Sequence, residues 1–386
     1  MSFLSDIDAT AINLSSDVLK RYSPEARTFP LVESEAEANL LEKIIAHPPL
    51  SDDSQGWKVN PYRELDRNQD RDRFVESESE GDYPVYGGSN IFQYTYTSDF
   101  YEGLEPPKLW SVDEENEPDK SAKRRIREKS FRSRDPDMGL KKAIYNEFNG
   151  TGSQKGFVND LLEEERGSPL SLDDVLLDCT EYRIVFRNIA QATDERTFIC
   201  AVIPKGVVCH HALNTIRPFT FNIDRKDLSE SPLHSAYERV FTDRELFVAL
   251  GLLNSIAFDF LMRTKIDKNL VMYKLIESQV PRLTEGDNWF RYISDRAARL
   301  NCYGEGFAEM RERLGGIDPE TDRQKRHEIQ AEIDAAAFHA YGLERRDVEF
   351  VLDDFHQVSN ARLMTNEYMD MVFEKFDVLL EEGPYK

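Results

Sequence analysis

The spacing of apolar residues predicts strands near the centre of this chain and helices through most of its second half. An early helix is predicted where Ser34 and Glu37 form a capping signal and Pro48-Pro49 ends the apolar run. Further along, 83–112 is aromatic and rich in strand-forming residues, and 182–190 and 197–204 alternate on either side of a polar turn. The pattern therefore predicts a central hairpin.

A long apolar run at 243–263 predicts one buried helix, because its hydrophobic side chains recur at intervals of three and four residues. Asn254-Ser255 interrupts this run, and burying an amide and a hydroxyl costs free energy unless both are hydrogen bonded. This favours a structural role for the pair. Mostly helical sequence follows, with one helix near Trp289–Arg313 and another that ends at Gly342.

Together these elements predict an α+β fold, a mixed β domain with packed helices followed by a helical tail. We expect a linker and helix at 1–82, the mixed domain at 83–285 and the tail at 286–386. Within the mixed domain, 113–175 is expected to be an irregular insertion, since glycine- and serine-rich stretches interrupt its periodicity.

Charge changes this picture in two ways. The net charge is −23, which taken alone argues against binding nucleic acid. Acidic residues spread along a whole chain are also expected in a salt-rich cytoplasm, where salt screens their repulsion, so we expect a halophilic source. Local charge then matters more, and Lys120–Arg134 holds eight basic residues and one acidic residue, Glu128. Backbone binding to a polyanion and a solvated loop paired with nearby acids both remain open.

Motifs that carry chemistry are absent from the sequence. No Asp/Asn-Pro-Pro-aromatic motif, glycine-rich phosphate loop or nucleophile elbow occurs, and we expect no catalytic residue, cofactor or metal in this chain. The four cysteines form no Cys-x-x-Cys pair, and Cys209-His210-His211 fits a turn better than a metal site. No secretory signal or membrane-spanning run is present, so the expected location is the cytoplasm.

Four segments, taken in order, carry a resemblance. They are YPVYGGSNIFQY at 83–94, the hairpin with Glu195-Arg196-Thr197 at 182–204, LLNSIAFDFLMRTK with the later QVP at 252–281, and EIDAAAFHAYGL at 332–343. The order resembles the region after the catalytic domain in adenine-N6 DNA methyltransferases of type IIG restriction–modification and phage-exclusion defence systems. The opening at 14–30 is similar to the linker that follows their catalytic domain.

The resemblance implies the DNA-recognition part of such an enzyme, without its catalytic half. S-adenosylmethionine and base flipping would then belong to a separate catalytic chain, and double-stranded DNA would be the second partner. The chain starts within the linker-like segment, so we expect a split gene or a truncated relative. Ser89 replaces the basic residue of the family's first segment and puts a phosphate contact there in doubt.

The alternative function is a protein–protein adaptor in a defence complex. A nuclease is the third possibility, but the sequence contains no nuclease motif.

Candidate DNA contacts come from four places. Strand alternation sets Ile184 and Phe186 opposite the arginines of the first hairpin strand, so those arginines are expected to point outward, with ion pairing as the alternative. Asn and Gln side chains in the first segment suit adenine edges, although a plain turn would also explain them. Basic residues at a helix end suit phosphate or the helix dipole. The candidates are Tyr86, Gly88, Asn90 and Gln93; Lys123, Arg124, Arg125 and Arg127; Arg183, Arg187 and Arg196; and Arg263 and Lys265.

Overall fold

The computed structural model describes residues 12 and 14–384, apart from 55, 71–73, 76–82, 111–120, 192–193, 267–268 and 356–360. The chain divides into two compact units. The first, here called the helical unit, comprises Met1–Val59, Arg187–Cys200 and Asp243–Lys386. The second, the mixed unit, comprises Asn60–Phe186 and Ala201–Thr242. Each interleaves distant parts of the sequence.

The α-helices are α1 Ser16–Tyr22, α2 Glu35–Ile44, α3 Arg67–Asp70, α4 Ala122–Arg132, α5 Leu140–Glu147, α6 Gln154–Arg166, α7 Asp243–Leu253, α8 Ile256–Lys265, α9 Met272–Ile276, α10 Phe290–Asn301, α11 Ala308–Arg313, α12 Arg323–Ala340, α13 Arg345–Phe355 and α14 Asn366–Glu382. The strands are β1 Pro61–Tyr62, β2 Phe74–Val75, β3 Pro84–Tyr86, β4 Lys108–Trp110, β5 Arg183–Arg187, β6 Cys200–Ile203, β7 Val208–Cys209, β8 Leu213–Ile216, β9 Phe219–Phe221 and β10 Tyr237–Arg239. The fold is α+β, as predicted.

Two small sheets and a two-stranded ribbon build the mixed unit. One sheet has the order β1-β8-β5-β6, with Tyr62 opposite Thr215, and the predicted hairpin strands β5 and β6 are neighbours in it. The other has the order β2-β4-β3-β7, in which β3 and β7 run parallel with Val85 opposite Val208. Strands β9 and β10 form the antiparallel ribbon.

The mixed unit has two cores. The first joins the second sheet to the inner face of α4 through Val85, Trp110, Ala122 and Ile126. The second packs α5 and α6 against the chain that precedes β10, and its members are Leu140, Ile144, Val158, Leu162, Leu170, Ile223, Leu228, Leu233 and Ala236. The segment 113–175 therefore contains three helices, α4, α5 and α6, joined by short loops, and the expectation of an irregular insertion is wrong for 122–166.

The helical unit is built from packed pairs of helices. Helix α7 packs on α10, and α12 packs on both α10 and α14. Gly251 allows the first of these contacts, because a Cβ there would lie 2.5 Å from Cγ2 of Ile293. Helix α12 ends before Gly342, whose φ is +69°, as the sequence predicted.

The predicted single helix at 243–263 is instead two helices that meet at 61°. Ser255 adopts an extended backbone and its Oγ accepts a hydrogen bond from Phe258 N at 3.3 Å, so it caps α8. Polar residues inside an apolar run thus marked a break. The region near Trp289–Arg313 is likewise two helices, α10 and α11.

The unit boundaries also differ from those predicted. Residues 243–285 group with the N-terminal helices and with 286–386, because α7 and α8 bury their apolar faces against α10 and α12. Among the described residues no single helix is long and apolar enough to cross a membrane, and only the bent pair α7–α8 meets both criteria when taken together.

Candidate nucleic-acid interface

Arg183 lies in the interior of the mixed unit. Its Nη2 donates to Oε1 and Oε2 of Glu64 at 3.0 and 2.9 Å and to the Val207 carbonyl at 2.7 Å. Burial raises the pKa of the Glu64 carboxyl, and the guanidinium opposes that effect. The predicted outward orientation of Arg183 is wrong, because both faces of β5 are covered and alternation leaves no exposed side. Arg187, at the end of the strand, is half-buried.

Three further candidates make internal contacts in the helical unit. Arg196 pairs with Asp334 at 2.9 Å, and both side chains are buried. Arg263 Nη2 donates to the Asp194 carbonyl at 2.6 Å, and its Nε lies 3.4 Å from Asp259. These side chains stabilise the unit rather than extend from it.

Lys265 is the third of these candidates. Its Nζ donates to the carbonyls of Tyr22 at 2.9 Å and Glu277 at 3.0 Å, and burial lowers its pKa to about 7. The amine therefore ties α1 and α9 to the end of α8.

The segments that carry the resemblance are joined by buried polar contacts. Asp334 on α12 accepts from Ile256 N at 2.8 Å as well as from Arg196. Asn254 exchanges two hydrogen bonds with the backbone of Cys200, at 3.1 and 2.9 Å. The structural role favoured for Asn254-Ser255 is confirmed. The acidic partners Glu64 and Asp334 were not singled out in the sequence, because with 72 acidic residues no pairing can be read from spacing.

The candidates at 86–93 lie in a turn that is bonded within itself. Asn90 Oδ1 accepts from Gly87 N at 2.5 Å and its Nδ2 donates to the Glu105 carbonyl at 2.9 Å. Tyr86 and Gln93 are buried, and Gly88 is half-buried at the start of the short 3-10 turn. The amide of Asn90 holds the turn together, as the plain-turn alternative requires.

The basic stretch gives a different result, since Ala122–Arg132 forms helix α4, called the basic helix from here on. Ser121 caps it by accepting from Arg124 N at 3.2 Å. Ala122, Ile126 and Ser130 face the interior, so the basic side chains lie on the remaining surface. The loop form of the alternative is wrong for Ala122–Arg132, whereas its other part, pairing with nearby acids, is borne out by four ion pairs; Lys120 lies outside the described residues.

The basic helix carries its charge at and near the surface. Lys123 is exposed, with Nζ 4.9 Å from the centre of the Tyr83 ring. The side chains of Arg124, Arg125 and Arg132 are 42%, 45% and 76% exposed, and that of Arg127 is 26% exposed. Arg132 was not among the candidates, although its spacing of eight residues from Arg124 places both on one side of a helix.

Each of these arginines has an acidic neighbour. Glu128 bridges Arg124 at 3.2 Å and Arg132 at 3.3 Å. Arg125 lies 3.2 Å from Asp70, and in the same way Arg127 lies 3.0 Å from Asp173. In each pair at least one partner is exposed, and pairs at a surface contribute about 0–1 kcal/mol each, so the guanidinium groups can change partners at little cost.

A groove of about 570 Å³ runs beside the basic helix within the mixed unit. Lys129 lies in its wall; its Nζ donates to the Arg63 carbonyl and sits 4.6 Å from the centre of the Tyr62 ring. Burial lowers the pKa of Lys129. The lining residues are Arg63, Glu64, Asp66, Gln69, Asp70, Arg125, Glu128, Lys129, Arg132, Ser133 and Met138.

Metal-ligand geometry is not found in the part of the chain that the structure describes, where no three His, Cys, Asp or Glu side chains are grouped to hold an ion. All four cysteines are buried free thiols. His339 stacks between Trp289 and Phe376, with ring centres 5.0 and 4.1 Å apart, which is a packing role.

No family model matches the sequence, and no curated protein matches it. Among solved structures, the type IIL restriction–modification enzyme MmeI in complex with DNA aligns with 82% of this chain and 35% of its own, at 12% identity and a TM-score of 0.32. The chain thus spans about a third of the length of that enzyme, and a likeness at this level carries neither fold nor function across.

Proposed function

We propose that this chain recognises duplex DNA as the target-recognition part of an adenine-N6 DNA methyltransferase in a restriction–modification or phage-defence system. Methyl transfer would be performed by a separate catalytic chain that binds S-adenosylmethionine. The observation that carries the proposal is the basic helix, an anchored helix that presents Arg124, Arg125 and Arg132 from a chain of net charge −23.

Arginine is suited to this role because its planar guanidinium donates two parallel hydrogen bonds to a phosphate and stays charged. A helix that keeps one face in a core holds such side chains in register without ordering a loop on binding. Phosphate contacts fix the position of a protein on a duplex, whereas base edges supply sequence preference. We assign the basic helix to the first of these tasks.

The resemblance and the basic helix support the proposal through different residues. The four similar segments place their polar groups in buried contacts such as Arg196–Asp334 and Asn254–Cys200. Those contacts give the polar residues of the four segments a structural role in the fold. The basic helix lies between the first and second segments and outside all four, so its charge is separate support for DNA.

Selection from a randomised duplex library tests recognition. We expect the chain, together with the proposed catalytic chain, to enrich duplexes that share one motif. A variant with Arg124→Ala and Arg132→Ala should recover fewer duplexes while keeping any motif, because phosphate contacts carry no sequence information. Recovery of unrelated sequences in every round would contradict sequence recognition.

Transfer of labelled methyl groups from S-adenosylmethionine to duplex DNA tests the division of labour. We expect none from this chain alone and N6-methyladenine once the catalytic chain is added. Methylation by the purified chain alone would overturn the assignment of catalysis to a partner.

A protein–protein adaptor remains the second candidate, favoured by exposed apolar side chains in the helical unit. Phe29, Leu31, Ile189 and Val271 are 74%, 63%, 65% and 45% exposed. The segments that carry these residues are neighbours. Leu31 N donates a hydrogen bond to the Thr264 carbonyl at 3.2 Å, and Ile189 forms an isolated antiparallel β-bridge with Asn269. Binding of the catalytic chain without any binding of DNA would favour this function.

A further inference from the structure

Carboxylates are built into the surface of the basic helix and the groove beside it. Glu128 is the one acidic residue of the basic helix, and its two oxygens hold Arg124 Nε at 3.2 Å and Arg132 Nη2 at 3.3 Å. Asp70, which also lines the groove, forms an ion pair with Arg125 at 3.2 Å, and Gln69 Oε1 accepts a hydrogen bond from the same guanidinium at 3.2 Å. The arginines at the groove are therefore already bound to oxygen anions.

We infer that Glu128 and Asp70 stand in for DNA phosphates and are displaced by them on binding, so that both carboxylates lower the affinity of this site for DNA. The inference rests on the proposed function, because it concerns how that site is controlled.

The physical basis is that a carboxylate and a phosphate offer the same arginine nitrogens equivalent oxygen acceptors. Holding the guanidinium groups in place keeps them ordered, but each pair must open before a phosphate can take its position. The side chains of Arg124, Arg125 and Arg132 are 42%, 45% and 76% exposed, and ion pairs at a surface contribute little, so this exchange is possible at room temperature.

Neither carboxylate can leave the surface after exchange. Glu128 is fixed on the basic helix between the two arginines, and its side chain is 25% exposed. Asp70 ends α3 with a side chain that is 9% exposed. Both charges would remain beside the phosphates that replace them, and like charges across an interface oppose association. Competition and repulsion therefore act in the same direction.

A purely structural role for Glu128 predicts the opposite change. If the carboxylate only stabilises the helix through its two pairs at four-residue spacing, its loss frees the arginines to move, and DNA affinity falls or stays constant. The neutral isosteres Glu128→Gln and Asp70→Asn separate the two roles, since each keeps the shape and removes the charge.

Fluorescence anisotropy with one labelled duplex at several salt concentrations provides the measurement. We expect Glu128→Gln and Asp70→Asn each to bind about two- to fivefold more tightly than the wild type, with the gain shrinking as salt rises. Glu332→Gln is the matched control, because Glu332 also bridges two cations, Arg296 at 2.7 Å and Lys375 at 3.0 Å, and is 21% exposed in the helical unit. Its DNA affinity should equal that of the wild type.

The outcomes distinguish the inference from the proposed function. If neither the wild type nor either isostere binds DNA, the proposed function fails. If the wild type binds and Arg132→Ala weakens binding, but neither isostere binds more tightly, the inference alone fails. Thermal melting checks the fold of each variant, and Asp70→Asn decides the matter should Glu128→Gln not fold.

Discussion

Lys265 shows how burial governs a single side chain. The folded pKa is about 7, and that of an unfolded lysine is about 10.4, so between these values the unfolded chain binds one more proton. The free energy of unfolding should therefore rise with pH from about 7 to about 10 by a few kcal/mol on account of this group. The gain would be lost as pH falls back to 7.

Chemical denaturation at pH 6.5 to 10 measures the free energy of unfolding of the wild type and of Lys265→Met. The wild-type value should increase relative to that of the variant as pH rises. Lys20→Met, at an exposed position on α1, serves as the control and should run parallel to the wild type. Parallel curves for Lys265→Met as well would show that the amine titrates as in the unfolded chain.

For individual residues, local charge could be predicted from the sequence more reliably than the direction in which a side chain points. Arg183 and Arg196 were expected at a surface, yet each pairs with a carboxylate more than a hundred residues away in the chain. Strand alternation predicts two faces but cannot tell whether a sheet is covered on one or both. The basic stretch was identified correctly as a charge feature, because local composition does not depend on distant contacts.

Close approach of helices α7 and α10 leads to a prediction at the scale of elements. A methyl group at position 251 would lie 2.5 Å from Cγ2 of Ile293, a branched side chain with little freedom to move. Gly251→Ala should therefore destabilise the protein by about 1–3 kcal/mol. Gly156, inside α6, has no such neighbour, since its nearest atom would be Ser153 Cβ at 3.6 Å.

Gly156→Ala should instead stabilise the protein by about 0.5–1 kcal/mol, because alanine loses less backbone entropy in a helix. Urea denaturation of both variants gives the comparison. Equal signs for the two substitutions would contradict the packing described for α7 and α10.

Elements with strong local signals were predicted well. Helix α12 and the β5–β6 pair match the expected positions, since periodicity and a glycine terminus lie in the sequence itself. The break between α7 and α8 was missed although its cap, Ser255, lies in the sequence, because the apolar spacing continues on both sides of it. The partner of Asn254, the backbone of Cys200, lies in a distant segment and could not be read from the sequence. The helices of 121–166 were missed because short amphipathic runs between glycines look irregular.

For the whole molecule, a net charge of −23 dominates the response to salt. Raising salt from about 0.1 M to about 1 M shortens the screening length from roughly 10 to 3 Å and reduces the repulsion among acidic side chains. Buried pairs are screened much less, and they include Arg166–Asp174, Arg183–Glu64, Arg196–Asp334 and Arg217–Asp178.

We therefore expect the melting temperature to rise with KCl, most steeply below about 1 M, where screening changes most. Calorimetry over that range measures it. A melting temperature that falls with added KCl would contradict the expectation that repulsion among acidic side chains limits the stability of this chain.

DNA binding should respond to salt in the opposite direction, because neutralised phosphates release counterions. The contribution of two surfaces to DNA binding can be compared by replacing one pair of exposed arginines on each. On the basic helix, Arg124 and Arg132 are 42% and 76% exposed; on α13, Arg345 and Arg346 are 51% and 74% exposed and also pair with acids. The two double alanine variants remove the same charge from different units.

The most direct measurement is the slope of the logarithm of the duplex-binding constant against the logarithm of salt concentration for these three proteins. We expect Arg124→Ala with Arg132→Ala to lower affinity about tenfold or more and to reduce the slope by about two, and Arg345→Ala with Arg346→Ala to change neither. Identical slopes and affinities for the two double variants would contradict the assignment of DNA contact to the basic helix.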